Sequence, residues 1–131
     1  DGALVATGSP GGSRIINIVL QIVCNITDHG MNVAEATHAP RFHHQWLPDQ
    51  LGIERGLSPD ITRLLTTRGH RIKVVSPIGS TQTVMLSGEI FHGASDPRRA
   101  GALTLGLPPG KPDTPSKDEP GPVQEGPPLK R

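Results

Sequence analysis

The stretch Gly8-Ser9-Pro10-Gly11-Gly12-Ser13 separates two apolar segments, and it constrains the fold more than any other feature of the chain. Before it, Ala3-Leu4-Val5-Ala6 is a short apolar run of the kind that forms a buried strand. After it, Ile15, Ile16, Ile18, Val19, Leu20, Ile22, Val23 and Ile26 recur around most of a helix circumference, which predicts a buried helix rather than a surface one. Gly30 is a suitable C′ residue to end it. Asn17, Gln21 and Asn25 interrupt the run, and it falls short of the ~20 apolar residues of a membrane span. The chain therefore turns from strand to helix through glycines. The backbone N–H groups opening that helix have no intrahelical partner, and the helix dipole favours negative charge beside them. Gly11 and Gly12 carry no Cβ, so a ligand oxygen can approach the backbone closely. This pattern fits an anion or oxyanion site, and it equally fits an ordinary tight turn. A phosphate loop is a poor match, because no Lys follows the glycines.

Further on, Asn32 and Glu35 form a variant capping box for a short helix that Pro40 ends. Arg41 to Trp46 is expected to be extended, and Leu51 to Glu54 to form a short strand. Ser58, Pro59 and Asp60 open a third helix as cap, first-turn proline and dipole partner, and Gly69 stops it. Ile72 to Val75, Thr81 to Leu86 and Glu89 to Ala94 read as strands, with Ser87-Gly88 as a two-residue hairpin loop and Asp96-Pro97 closing the folded part. Helices mixed with antiparallel strands predict an α+β layered sandwich.

Composition divides the chain in two. Residues 1–106 can fold, whereas 107–131 hold eight of the fourteen prolines and only three aliphatic residues. Such a segment buries too little apolar surface to offset its ordering entropy, so a disordered proline-rich tail is expected. A formal net charge of +1 and only three aromatic residues, Phe42, Trp46 and Phe91, argue against a nucleic-acid partner. The single cysteine, Cys24, excludes an internal disulfide and reads as a small core residue. The chain starts at Asp1 without Met or a signal-peptide pattern, and reads as a piece of a longer polypeptide.

Catalytic chemistry is not self-contained here. His43 and His44 point to opposite faces of an extended segment, so no metal site is expected. Asn25-Ile26-Thr27 matches a glycosylation sequon but lies on the apolar helix. Thr66 and Thr67 are internal and cannot use a terminal amine as base, so both read as structural.

The string Gly8-Ser9-Pro10-Gly11-Gly12-Ser13-Arg14-Ile15-Ile16 resembles the small subunit of the gamma-glutamyltranspeptidase (glutathione hydrolase) family, of bacterial type. Asn32 to Ala36, Ala39 to Pro48, Gly79 to Gln82 and Gly93 to Arg98 continue the resemblance in order, over residues 1–106. It implies part of an αββα four-layer N-terminal-nucleophile hydrolase sandwich, cut from a precursor that cleaves itself into large and small subunits. It also implies a threonine that attacks the gamma-glutamyl amide of glutathione with its own amine as base, then passes the acyl group to water, an amino acid or a dipeptide. By the match of motifs, Gly11 and Gly12 correspond to the oxyanion-hole glycines, and Gly12 also lies against the glutamyl group. The nucleophile, the glutamyl-gripping residues and the large subunit are expected upstream of Asp1, so the isolated piece is expected to be inactive. No cofactor is implied. Relatives are typically exported, which implies a periplasmic or extracellular parent. A same-family cephalosporin acylase and a non-catalytic scaffold acting through the tail are the alternative readings.

Overall fold

The computed structural model describes residues 4–106, and the expected tail at 107–131 lies outside the described residues. Strand β1 (Leu4–Gly8) leads through the glycine loop and a 3₁₀ turn (Gly12–Arg14) into helix α1 (Ile15–Thr27). Helix α2 (Val33–His38), β2 (Phe42–His43), β3 (Leu51–Ile53), α3 (Pro59–Thr67), β4 (Ile72–Val74), β5 (Gln82–Ser87) and β6 (Ile90–Ser95) follow. The strands form two three-stranded sheets, β1-β5-β6 and β2-β3-β4.

Local chemistry sets the helix ends. The Asn32 side chain accepts from the N–H groups of Ala34 and Glu35, while Glu35 reaches back to the Asn32 N–H at 2.9 Å, completing the capping box. Gly30, at a φ of +64°, lets Met31 N–H close onto the Asn25 carbonyl at 2.9 Å and end α1. Ser58 caps α3, with Pro59 at its first position.

Four expectations are corrected. First, β3 and β4 pair in parallel, with α3 as the crossover of a βαβ unit, because α3 reverses the chain between them. Second, Ser87 pairs with Ile90, so the hairpin loop is Gly88-Glu89, and Gly88 supplies the positive φ the turn needs. Third, the Arg41–Trp46 segment, which contributes strand β2, is not extended to its end, since Trp46 has a φ of +62°. Fourth, α1 buries only the one-turn pair Ile18 and Ile22, and Ile16 is 81% exposed. A helix apolar all round needs a neighbour on every side, and the described residues supply one on one side.

Register shows a similar asymmetry in the first sheet. Directly paired residues share a face, so Leu4, Leu86 and Phe91 form one row and Ala6, Val84 and Gly93 the next. The opposite face carries Val5, Met85, Thr83 and Ala94, and α1 and α2 pack on this sheet. Phe91 is 71% exposed on the first of these faces. Among the described residues, no helix is long and apolar enough to cross a membrane.

Candidate active site

The glycine loop stands at the junction of the two sheets' connecting segments. Gly11 has a φ of +153° and Gly12 of +58°, values that L side chains rarely adopt. Arg14 N–H donates to the Gly11 carbonyl at 3.1 Å and Ile15 N–H to the Gly12 carbonyl, which winds the chain into α1. No side chain caps this end of the helix, and the N–H groups of Gly11 and Gly12 have no acceptor among the described residues. Two adjacent donors without an acceptor among the described residues therefore stand on exposed glycines in the turn that leads into a 13-residue helix, near its positive end.

Packing beneath the loop fixes it. Ser9 Oγ donates to the Pro10 carbonyl at 2.8 Å and accepts from the Ser80 N–H at 3.1 Å. Gly79 lies directly below: a Cβ there would sit 2.5 Å from Ser9 Oγ and 2.6 Å from Ile18 Cδ1. On the other side, Gln21 pairs with both backbone groups of Phe42, donating to its carbonyl at 2.9 Å and accepting its N–H at 3.0 Å. That clamp brings the following residues to the loop, where Ser13 Oγ donates to Gln45 Oε1 at 3.0 Å and His43 Nε2 lies 3.2 Å from the same oxygen.

A buried ion network joins the elements behind this surface. Arg41 is 2% exposed and Asp96 fully buried, with a 2.8 Å bridge between them. Arg98 meets both Glu54, at 2.6 Å, and Asp96, at 3.2 Å. Glu54 accepts the N–H groups of Arg41 and Ile78, Asp96 accepts the Thr81 N–H, and the two guanidiniums donate to the carbonyls of Thr37, Ala39 and Ile78. Burial by itself would raise the Asp96 carboxyl, but the N–H groups of Arg98 and Thr81 and the Arg41 guanidinium outweigh it and hold it below its ordinary value. Glu54 follows the same balance, with Arg98 and the N–H groups of Ile78 and Arg41 overriding burial. Asp96 follows the last strand and is at the same time a core residue, because each of its oxygens has partners inside the fold.

The remaining candidates do not converge. His43 faces Gln45, whereas His44 faces Asp49 at 3.2 Å, and among the described residues no three His, Cys, Asp or Glu groups gather. A hydrogen bond to Asp28, with some desolvation, pushes the Cys24 thiol up, away from nucleophilic thiolate. Thr66 and Thr67 hydroxyls donate to carbonyls of their own helix, Thr62 and Leu64. Sequence reasoning named Gly11 and Gly12 as candidates but not the residues packed around their loop, Ser9, Gly79, Gln21 and Gln45. Ser9, Gln45 and Gly79 lie within the motifs that carry the family resemblance, but nothing in local spacing reveals a contact between residues some seventy positions apart.

Comparison with known proteins places this arrangement. Residues 1–105 match the family profile of gamma-glutamyltranspeptidase. The chain is 57% identical over 104 residues to the glutathione hydrolase proenzyme of Escherichia coli (strain K12), covering 78% of this chain and 18% of that protein. It is 39% identical over 114 residues to the glutathione hydrolase proenzyme of Pseudomonas sp. (strain A14), covering 79% and 20%. It thus spans about a fifth of the length of these curated relatives. A solved gamma-glutamyltranspeptidase mutant of Helicobacter pylori superposes with a TM-score of 0.70 at 43% identity, covering 72% of this chain and 54% of that one. The α+β arrangement is accordingly part of the αββα N-terminal-nucleophile hydrolase sandwich. With the family profile covering nearly all the described residues and the backbone agreeing, the chain belongs to the gamma-glutamyltranspeptidase family.

Proposed function

We propose that this chain is the oxyanion-stabilising part of a gamma-glutamyltransferase and glutathione hydrolase, working with a nucleophilic threonine and a large subunit from the rest of the same precursor. A hydroxyl attacking the gamma-glutamyl amide carbonyl forms a C–O bond and leaves negative charge on the carbonyl oxygen. The N–H groups of Gly11 and Gly12 meet that charge without reorganisation, since their donors are already oriented and unpaired. Collapse breaks the amide C–N bond and the leaving amine takes a proton. Water or an acceptor amine then attacks the ester, the new bond forms as the ester C–O bond breaks, and the threonine oxygen regains a proton. Lacking the nucleophile, the isolated chain turns over no gamma-glutamyl substrate.

The observation that supports this reading is the pair of adjacent, uncapped N–H groups at positive-φ glycines opening α1. Gly12→Ala in the full-length precursor tests it. A Cβ at Gly12 meets nothing within 4 Å, so the fold tolerates the methyl, but a φ of +58° is unfavourable for Ala and the donor shifts. Loss of one oxyanion donor lowers turnover of a gamma-glutamyl anilide by about 10²–10³-fold in protein that still cleaves itself. Unchanged turnover overturns the assignment.

A further inference from the structure

The parallel strands β3 and β4 run toward the same side of the molecule, and a groove of about 640 Å³ opens at their carboxyl ends. Glu54 and Arg55 follow β3 into it, Val74 to Pro77 enter from β4, and Pro97 and Arg98 line it as well. Its volume falls within the ~300–1,000 Å³ of sites that enclose a ligand. The floor carries no spare charge. Arg98 meets Glu54 at 2.6 Å and directs its other donors to Asp96 and to the Thr37 and Ala39 carbonyls. Apart from that pair and Ser76, the walls are apolar: Val74, Val75, Pro77 and Pro97. Arg55 is exposed and has no ion pair among the described residues. The groove therefore suits an extended apolar segment that also carries negative charge.

Such a segment exists in this chain. Within residues 107–131, Asp118-Glu119 is followed directly by Pro120-Gly121-Pro122-Val123. Proline has its φ already fixed, so a proline-rich stretch loses little chain entropy when it docks. The segment also starts beside the groove. Thr104 Oγ1 pairs with Ser95 Oγ at 2.7 Å, and Thr104 Cγ2 sits over Gly93, which pins the outgoing chain to the end of β6. Gly106 lies two positions beyond Thr104, and Pro97 two beyond Ser95, so Gly106 is within about 20 Å of the groove wall. Asp118 lies twelve positions beyond Gly106, a reach of about 37 Å in polyproline form, so the acidic pair spans that distance with slack. We infer that residues 107–131 dock back onto this groove, with Asp118 and Glu119 at Arg55 and Pro120 to Val123 against Val74, Pro77 and Pro97. Tethering holds the segment at an effective concentration near millimolar, so a weak site stays occupied. The inference is independent of the oxyanion reading of Gly11 and Gly12.

The test compares the full-length parent protein with the same protein ending at Gly106, which keeps the residues 1–105 that match the family. A fluorescently labelled peptide of residues 107–131 is titrated into each and followed by polarisation. It is expected to bind the truncated protein, and to bind the tail-bearing protein at least about tenfold more weakly, because the resident segment competes. Arg55→Glu in the truncated protein weakens binding about fivefold, the scale of an exposed ion pair. A peptide carrying Asp118→Lys and Glu119→Lys restores it. Arg55 is exposed, so this variant folds. Equal binding to the tail-bearing and truncated proteins, or binding indifferent to Arg55→Glu, overturns the docking. Absence of binding to the truncated protein overturns it too. Amide exchange then names the occupant: Val74 to Ser76 equally protected with and without the tail assigns the groove to another segment of the precursor.

Discussion

Gly79 illustrates how much of the site rests on one absent methyl group. Its φ of +69° is costly for any L residue, and the space a Cβ would occupy is already filled by Ser9 Oγ and Ile18 Cδ1. Gly79→Ala combines about 1–2 kcal/mol of backbone strain with about 1–3 kcal/mol of overpacking. Relieving it displaces Ser9 Oγ from its hydrogen bonds to the Pro10 carbonyl and the Ser80 N–H, so the expected outcome is a lowered Tm together with weakened anilide turnover, measured on the same preparation. Asp96 is the other single point of dependence. Asp96→Asn leaves Arg41 buried without its carboxylate, and breaking a buried pair of this kind costs about 3–5 kcal/mol. Chemical denaturation of the purified protein measures that loss; a change under 1 kcal/mol contradicts the network's role. Arg41→Lys is not a mild change either, since the guanidinium donates to the Ile78 and Thr37 carbonyls, Thr81 and Asp96 at once.

Among the elements, α2 is the shortest helix and the most dependent on its ends. Six residues provide too few internal hydrogen bonds for stability, so the capping box and burial of Val33, Ala36 and Thr37 hold it in place. Asn32→Ala removes a cap that accepts two backbone N–H groups and costs about 1 kcal/mol. Asn32→Ser keeps an acceptor and recovers most of it. Equilibrium unfolding of the three proteins ranks them; equal stability of the alanine and serine variants runs against this account. The C-terminal end of α2 matters for a different reason, because the Thr37 and Ala39 carbonyls it leaves open are where Arg98 and Arg41 dock.

Across the molecule, the buried carboxylates set the response to acid. Glu54 and Asp96 have folded-state values held below their ordinary ones, so the unfolded chain binds more protons in that window. Their contribution is complete above the ordinary values of ~3.9 and ~4.3 and is lost as pH falls through those and toward the depressed folded ones. Denaturation midpoints are therefore expected to hold steady from pH 7 to about 5 and to fall steeply below about 4. Asp96→Asn flattens that fall. The apolar faces belong to the same scale. Ile16 and Leu20 on α1, and the Leu4, Leu86 and Phe91 row on the first sheet, sit where another layer of a sandwich would cover them. At roughly 25 cal/mol per Å², several hundred Å² of uncovered apolar surface is comparable to the ~5–15 kcal/mol stability of a whole domain. Produced alone, residues 1–131 are expected to aggregate or to exchange amide protons broadly; uniform protection across β1 to β6 in a monomer contradicts this.

Local sequence determined the parts of this protein whose causes lie within a few residues. The glycine loop between apolar segments, the Asn32–Glu35 capping box, the Ser58-Pro59 helix start and the Gly30 stop were all legible, because each depends on dihedral freedom or on hydrogen bonds spanning three or four positions. The hairpin was legible but misplaced by one residue, since Ser87-Gly88 and Gly88-Glu89 both offer a glycine to the turn. Tertiary structure alone decided that β3 and β4 run parallel, that α1 buries one stripe of its apolar surface, and that Arg41, Glu54, Asp96 and Arg98 meet. These depend on which distant segments the chain brings together, and a charged residue has the same appearance in sequence whether water or another charge satisfies it. Burial is what distinguishes the two cases: it removes the water, so only partners from elsewhere in the fold can keep those charges in place.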